Sequence, residues 1–386
     1  HLRKIIRITR HLFKIFRIIT AVLFVTIVHS DDYYKGDTLV RKGVHAFYNY
    51  EFDKAVDILN QARVDFPDHP GVHLIWAASR WVRSQANSPV EETYRILNED
   101  LKEIGPVYDS LVDRFEYDPN YKLYQGSALG LSARVALGKK QWIRTLIRSY
   151  KGFIIIKEVA QESPDIKDAQ LPIGIVEYFA GISNPIINWA VRLYDLDAST
   201  ESGLHRMALA ADEGHWAWIE AKAILSNLYL WAENDPILAL EHAKDLAEKF
   251  PDNFYFNLLY LESLIRTDNI PLSLVIIKDM DTSSSRLTHR QLEWYLPYLD
   301  YERALLSFYQ EDYSKALDQV DQTIEGYTAE LDIILGNAYL LKGMCHDALD
   351  QRGKAKESYQ NCLDLDNFSG SMKQAMNYLK KPFPGI

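Results

Sequence analysis

GVHAFYNYEFDKAVDILNQARVDFP, residues 43–67, is the stretch on which the fold turns. Gly43 is followed twelve residues later by another small residue, Ala55, then by Leu59 and Ala62 at steps of four and three, and then by Pro67. Steps of four and three put Ala55, Leu59 and Ala62 on one helical face. Gly43 has no side chain, so a helix through it can lie close against that face. Phe52 supplies an aromatic at the start of the second helix, and Pro67 stops that helix after Asp65 and Phe66. The stretch predicts two antiparallel helices joined by a short turn.

The frame recurs. Asn227, Ala239, Ala243, Leu246 and Pro251 repeat it, with KFPDN echoing DFPDH. Ala304, Ala316, Val320 and Thr323 repeat it with Tyr313 at the aromatic position, and Gly343, Ala355, Tyr359 and Cys362 give a further copy. A weaker copy centres on Leu274, after Asn269, Ile270 and Pro271. Ala316 and Ala355 are 39 residues apart, more than the usual period of about 34, and the last two full copies lack the closing Pro. The pattern resembles degenerate tetratricopeptide repeats. It predicts an all-α chain, an α-solenoid of helical hairpins whose stacking builds a curved binding surface.

Residues 1–30 hold six of the 43 Lys and Arg and none of the 53 Asp and Glu. Arg3, Lys4, Arg7, Arg10, Lys14 and Arg17 precede an apolar run from Ile18 to Val28, and a small residue, Ser30, precedes Asp31. This layout predicts a secretory signal peptide cleaved after Ser30, with a retained anchor or a mitochondrial presequence as the alternatives. The rest of the chain carries 37 basic and 53 acidic residues, a charge of −16. That balance argues against nucleic acid as a partner. The expected organisation is a leader over 1–30, helical repeats over 31–160, and continuous repeats over 161–386, in a protein exported to the periplasm or cell envelope.

Between the clear repeats the reading is helical. A helix through Trp76–Val82 breaks at Ser88-Pro89, and a second, from Val90 to Ile104, is expected to stop at Gly105-Pro106. Tyr124–Leu137 is rich in small residues, which suits close helix packing. Residues 161–170 (QESPDIKDAQ) read as an exposed linker. Residues 171–196 form the least polar segment after the leader, divided by Asn184-Pro185, and read as either the most buried hairpin or a pocket for an apolar ligand. Cys345 and Cys362 are the only cysteines. Export would permit a disulfide, but their placement on opposite helices of one hairpin favours buried free thiols.

The order of features from Leu123 to Glu262 adds a resemblance. Small residues over Ser127–Ala136 are followed by WIRTLIRSYKG, LPIGIVEYFAGISNPIINWAVRLYDL, ESGLHRMALAADEGHWAW and EKFPDNFYF. In this order the chain resembles the eukaryotic tetratricopeptide-repeat thirty-nine family, also called inclusion-body-clearance proteins. It departs from that family's pattern at Phe250-Pro251-Asp252, where an Asn-like stop is expected, and in its leader. The resemblance implies a role in lipid or inclusion handling.

No catalytic or cofactor motif stands out: there is no H-E-x-x-H, C-x-x-C, Walker loop or G-x-S-x-G. No cofactor and no metal are expected, and the chain reads as a non-enzyme. His205, Asp212, Glu213 and His215 form the densest metal-ligand types, but their spacing across a turn favours solvated residues. One stripe is unusual in so acidic a chain. Lys140, Arg144, Arg148 and Lys151 share a helical face with Trp142 and Tyr150 nearby, suited to an acidic peptide or an anionic headgroup. Trp294, Tyr298 and Tyr301 at helical spacing read as core. The expected function is an exported scaffold or adaptor that binds a protein segment on its concave surface. The alternative is an envelope lipid- or glycan-binding protein with its pocket near 171–196.

Overall fold

The computed structural model describes residues 33–131, 142–182, 197–328, 332–367 and 369–385, the helix over 142–149 by its backbone alone. In chain order the helices are α1 (Asp37–Tyr48), α2 (Phe52–Asp65), α3 (Val72–Asn87), α4 (Val90–Arg114), α5 (Pro119–Leu131), α6 (Trp142–Glu162), α7 (Gln170–Ile182), α8 (Thr200–Glu213) and α9 (Trp218–Trp231). They continue as α10 (Pro236–Lys249), α11 (Phe254–Arg266), α12 (Ile270–Ser283), α13 (His289–Tyr309), α14 (Tyr313–Gly326), α15 (Ile333–Ala348), α16 (Arg352–Asp364) and α17 (Gly370–Lys380). Among the described residues there is no strand. Among the described residues each odd-numbered helix from α1 to α15 packs on the next described helix, giving eight helix pairs with α17 covering the last. The chain is an all-α solenoid.

The small-residue frame does what its spacing predicts. Ala55, Leu59 and Ala62 are fully buried, as are Ala239, Ala243 and Leu246, Ala316 and Val320, and Ala355, Tyr359 and Cys362. At Gly43 a methyl group would meet Leu59 Cγ at 2.7 Å, so the approach of α1 to α2 excludes any side chain there. Cys345 and Cys362 are buried free thiols. Burial pushes them up to about 12 and about 11, which leaves both inert at neutral pH.

Two expectations fail. The helix begun at Val90 does not end at Gly105-Pro106 but runs to Arg114. Pro106 faces solvent, while Leu97, Ile104, Tyr108 and Leu111 make one buried stripe on both sides of it. The Tyr108 hydroxyl donates to Pro70 O (2.9 Å) and accepts from Leu74 N (3.0 Å). Burial of that stripe outweighs the roughly 3 kcal/mol cost of an interior Pro. Residues 161–170 are not a free linker. Ala169 and Gln170 are buried, and the Asp168 carboxylate accepts from Trp216 N (3.1 Å) and Ala217 N (3.0 Å), capping the entry to α9.

A second repeat lies in the turns. Tyr50, Asp268, Glu311 and Asp350 have φ between +59° and +62°. Each is the middle of the three residues that separate the helices of its hairpin. The next N–H in each case donates five residues back: Glu51 to Ala46, Asn269 to Leu264, Asp312 to Ser307 and Gln351 to His346. This is a left-handed helix cap of the Schellman type. A side chain in that conformation costs about 1–2 kcal/mol. Glu311 is exposed, so Glu311→Gly should stabilise the chain by about 1 kcal/mol and Glu311→Val should destabilise it, read as shifts of the urea midpoint at unchanged slope.

Candidate functional site

From α9 to α15 the first helix of each hairpin lines the inside of the curve. α9 touches α11, α11 touches α13, and α13 touches α15, whereas the second helices contact one another sparsely. The chain then curls until its first hairpins meet this inner wall: α3 packs against α13, and Val44 and Tyr48 of α1 join the hydrophobic cluster of α9–α11. Polar bonds fix the closure. The Tyr48 hydroxyl donates to Glu220 (2.5 Å), Asn253 Nδ2 donates to Tyr48 O (2.8 Å), and the Tyr50 and Tyr295 hydroxyls are 2.8 Å apart. Thr288 donates to Ala86 O. Arg41 reaches His215 Nε2 (2.5 Å) and lies over the Trp216 ring at 4.4 Å.

Where the two halves meet, a cavity of about 180 Å³ remains. The first hairpin contributes Phe47, Tyr48, Tyr50 and Phe52; α11 and α13 contribute Tyr255, Phe256, Trp294 and Tyr295. Glu220, in the first turn of α9, is the only charged residue among the lining. Burial pushes its carboxyl above the ordinary range, and the Tyr48 hydroxyl draws it partly back. The side chain still reaches water. Trp294 Nε1 is buried without a hydrogen-bond partner.

Tyr50 is out of keeping with its turn. Asn, Asp and Glu hold the other left-handed positions of the hairpin turns, and a bulky aromatic tolerates that conformation least. Tyr50 places its ring 5.2 Å from Phe52 and parallel to Tyr295 within 14°, and its hydroxyl accepts from Tyr255 N. The strain is held by the contacts it makes across the closure. Tyr50→Phe, which keeps the ring and loses both hydroxyl bonds, should speed hydrogen exchange of α1 and α3 severalfold while α14–α16 exchange unchanged.

A second cavity, about 110 Å³, opens between α9, α11, α13, α15 and α17 beside Arg266. Glu262 and Glu302 beneath it are fully buried. Glu262 accepts from Trp231 Nε1 (2.7 Å) and Arg266 Nη1 (3.2 Å) and is the ionised partner. Burial and the neighbouring Glu262 charge hold Glu302 well above the carboxylate range, and neither oxygen of Glu302 has a hydrogen-bond partner. Folding therefore takes up a proton above the ordinary value of 4.5, and this contribution to stability is lost as the pH rises. Glu302→Gln should flatten the fall in stability above that pH, where one proton is worth about 1.4 kcal/mol per pH unit, measured by denaturation midpoints across pH.

Of the stripe expected from the sequence, Tyr150 and Lys151 have described side chains. Lys140 lies outside the described residues, as do the side chains of Trp142, Arg144 and Arg148; Tyr150 is half-buried and Lys151 exposed on α6. Of the aromatic group on α13, Tyr298 and Tyr301 are core, as expected, and Trp294 lines the larger cavity. His215 binds Arg41 and stacks edge-on to Tyr33 and Trp216. Among the described residues no three His, Cys, Asp or Glu converge on a metal-sized space. Nothing in the sequence marked Tyr48, Tyr50 or Glu220, whose partners lie 172 to 245 residues away.

No family model matches the chain, and no curated protein matches it. Among solved structures it is similar to a tetratricopeptide repeat protein from Parabacteroides merdae, at 12% identity over 89% of this chain and 97% of that one, with a TM-score of 0.31. It is also similar to human IFIT1, solved as a dimer with m7Gppp-AAAA, at 11% identity over 91% and 82%, with a TM-score of 0.39. Yeast Tom70 matches at 12% identity over 90% and 95%, with a TM-score of 0.27. Superpositions this loose add no argument. The helical-repeat fold rests on the chain's own hairpins.

Proposed function

We propose that the chain is a non-catalytic adaptor of the cell envelope that holds a segment of a partner protein against the inner wall of its helical repeats. The observation that carries this reading is the aromatic-lined cavity where α1–α3 meet α9, α11 and α13. Tyr and Trp anchor interfaces at low entropic cost, and here they stand on rigid helices. The basic leader, with its apolar core and small residue before Asp31, supports export.

Lipid or glycan carriage near 171–196, with the lipid or inclusion handling implied by the thirty-nine-family resemblance, has less behind it. Residues 183–196 lie outside the described residues. Over 171–182, α7 is committed to packing: Gly174 and Gly203 bring α7 and α8 into backbone contact, and Glu177 binds Ser202 and Arg206. Among the described residues no helix is long and apolar enough to cross a membrane.

The test is affinity capture of the tagged full chain from gently solubilised envelope, with proteins and lipids identified by mass spectrometry and the mature N-terminus sequenced. A stoichiometric protein partner is expected, with a new N-terminus at Asp31. Lipid or glycan alone would sink the adaptor reading, and an intact leader on a cytosolic chain would sink export.

A further inference from the structure

The larger cavity has a composition that selects its occupant. Eight of its fifteen lining residues are aromatic, and one, Glu220, carries charge. No cation pairs with Glu220 among the described residues. Its one described bond is the hydroxyl of Tyr48, whose ring stacks on Phe256 at 5.9 Å. Tyr255 is also in the lining. Aromatic faces attract cations, and Glu220 is itself exposed to an entering group. A carboxylate among such faces, with no counter-charge of its own, is complementary to an ammonium or guanidinium group. The volume is comparable to an engineered cavity of about 150 Å³ that holds benzene, so it admits one side chain rather than a folded element.

We propose that this cavity receives a lysine or arginine side chain of the partner segment, its cationic head against Glu220 and the rings of Tyr48, Tyr255 and Phe256, a choice of partner chemistry that rests on the adaptor function proposed above. A neutral side chain of the same length leaves Glu220 without a counter-charge, and an acidic one is repelled by it. The preference is opposite in sign to that expected of the Lys140–Lys151 stripe. Occupation from inside the closure also engages Tyr50 and Tyr295, so a bound segment strengthens the contact between the first hairpin and α13.

The test uses the full chain and four small probes: the N-acetyl methylamides of lysine, arginine, norleucine and glutamate, titrated by saturation-transfer NMR. Lysine and arginine probes should bind, with norleucine and glutamate at least about tenfold weaker. Glu220→Gln, which keeps an acceptor for Tyr48, should weaken the cationic probes about tenfold and leave norleucine unchanged. Equal binding of norleucine and lysine, or no binding of either cationic probe at its solubility limit, overturns the assignment. The contrast of lysine with norleucine on the unaltered chain decides the matter even where Glu220→Gln fails to fold. A partner captured in undiminished amount by Glu220→Gln would overturn the cationic site and leave the adaptor function standing. Lysine binding without any captured protein would do the reverse.

Discussion

Two helices can approach only as closely as the smallest side chains between them allow, and every level of this structure depends on that limit. Gly43 against Leu59, and Gly174 against Gly203, mark places where an added methyl group would collide. Ala239, Ala316 and Ala355 are fully buried at the matching positions of other hairpins. Close hairpins turn their first helices toward one another, and the first helices then form a continuous inner wall. The cavity exists because that wall curves far enough to meet the first hairpins again.

Closure is made by polar groups that an open solenoid would not need. Tyr48, Tyr50, Asn253 and Thr288 all bond across the junction. Such bonds contribute about 1 kcal/mol each when both partners would otherwise be hydrated. The aromatic contacts around them supply the apolar burial, and the remaining space stays lined by rings and one carboxylate.

Legibility in the sequence follows distance along the chain. Local spacing carried the hairpins: the small residues, Pro67 and Pro251, and the break at Ser88-Pro89 all lie within a few turns of what they control. The same local logic misread Gly105-Pro106, because Tyr108 and Leu111 are buried by contacts with another helix. It took 161–170 as an open linker because Asp168 finds its backbone partners 48 and 49 residues later. The left-handed turns escaped because their residues, Tyr50, Asp268, Glu311 and Asp350, share a backbone conformation and no side-chain chemistry. Nothing local in the sequence says that Glu302 will be buried beside Glu262.

The bond between Tyr50 and Tyr295 spans 245 residues, and it sets a schedule. An open repeat array can consolidate from any point and fray from either end. Here the first hairpin emerges first, yet the surface that completes it is made only when α13 has been synthesised. Until then its aromatic face is exposed and open to misassociation. Non-local contacts of this reach slow folding, and a chain kept unfolded until it is whole avoids the early exposure. Once formed, the junction ties the first hairpin to α13, so that hairpin cannot fray without breaking contacts on the far side of the curl.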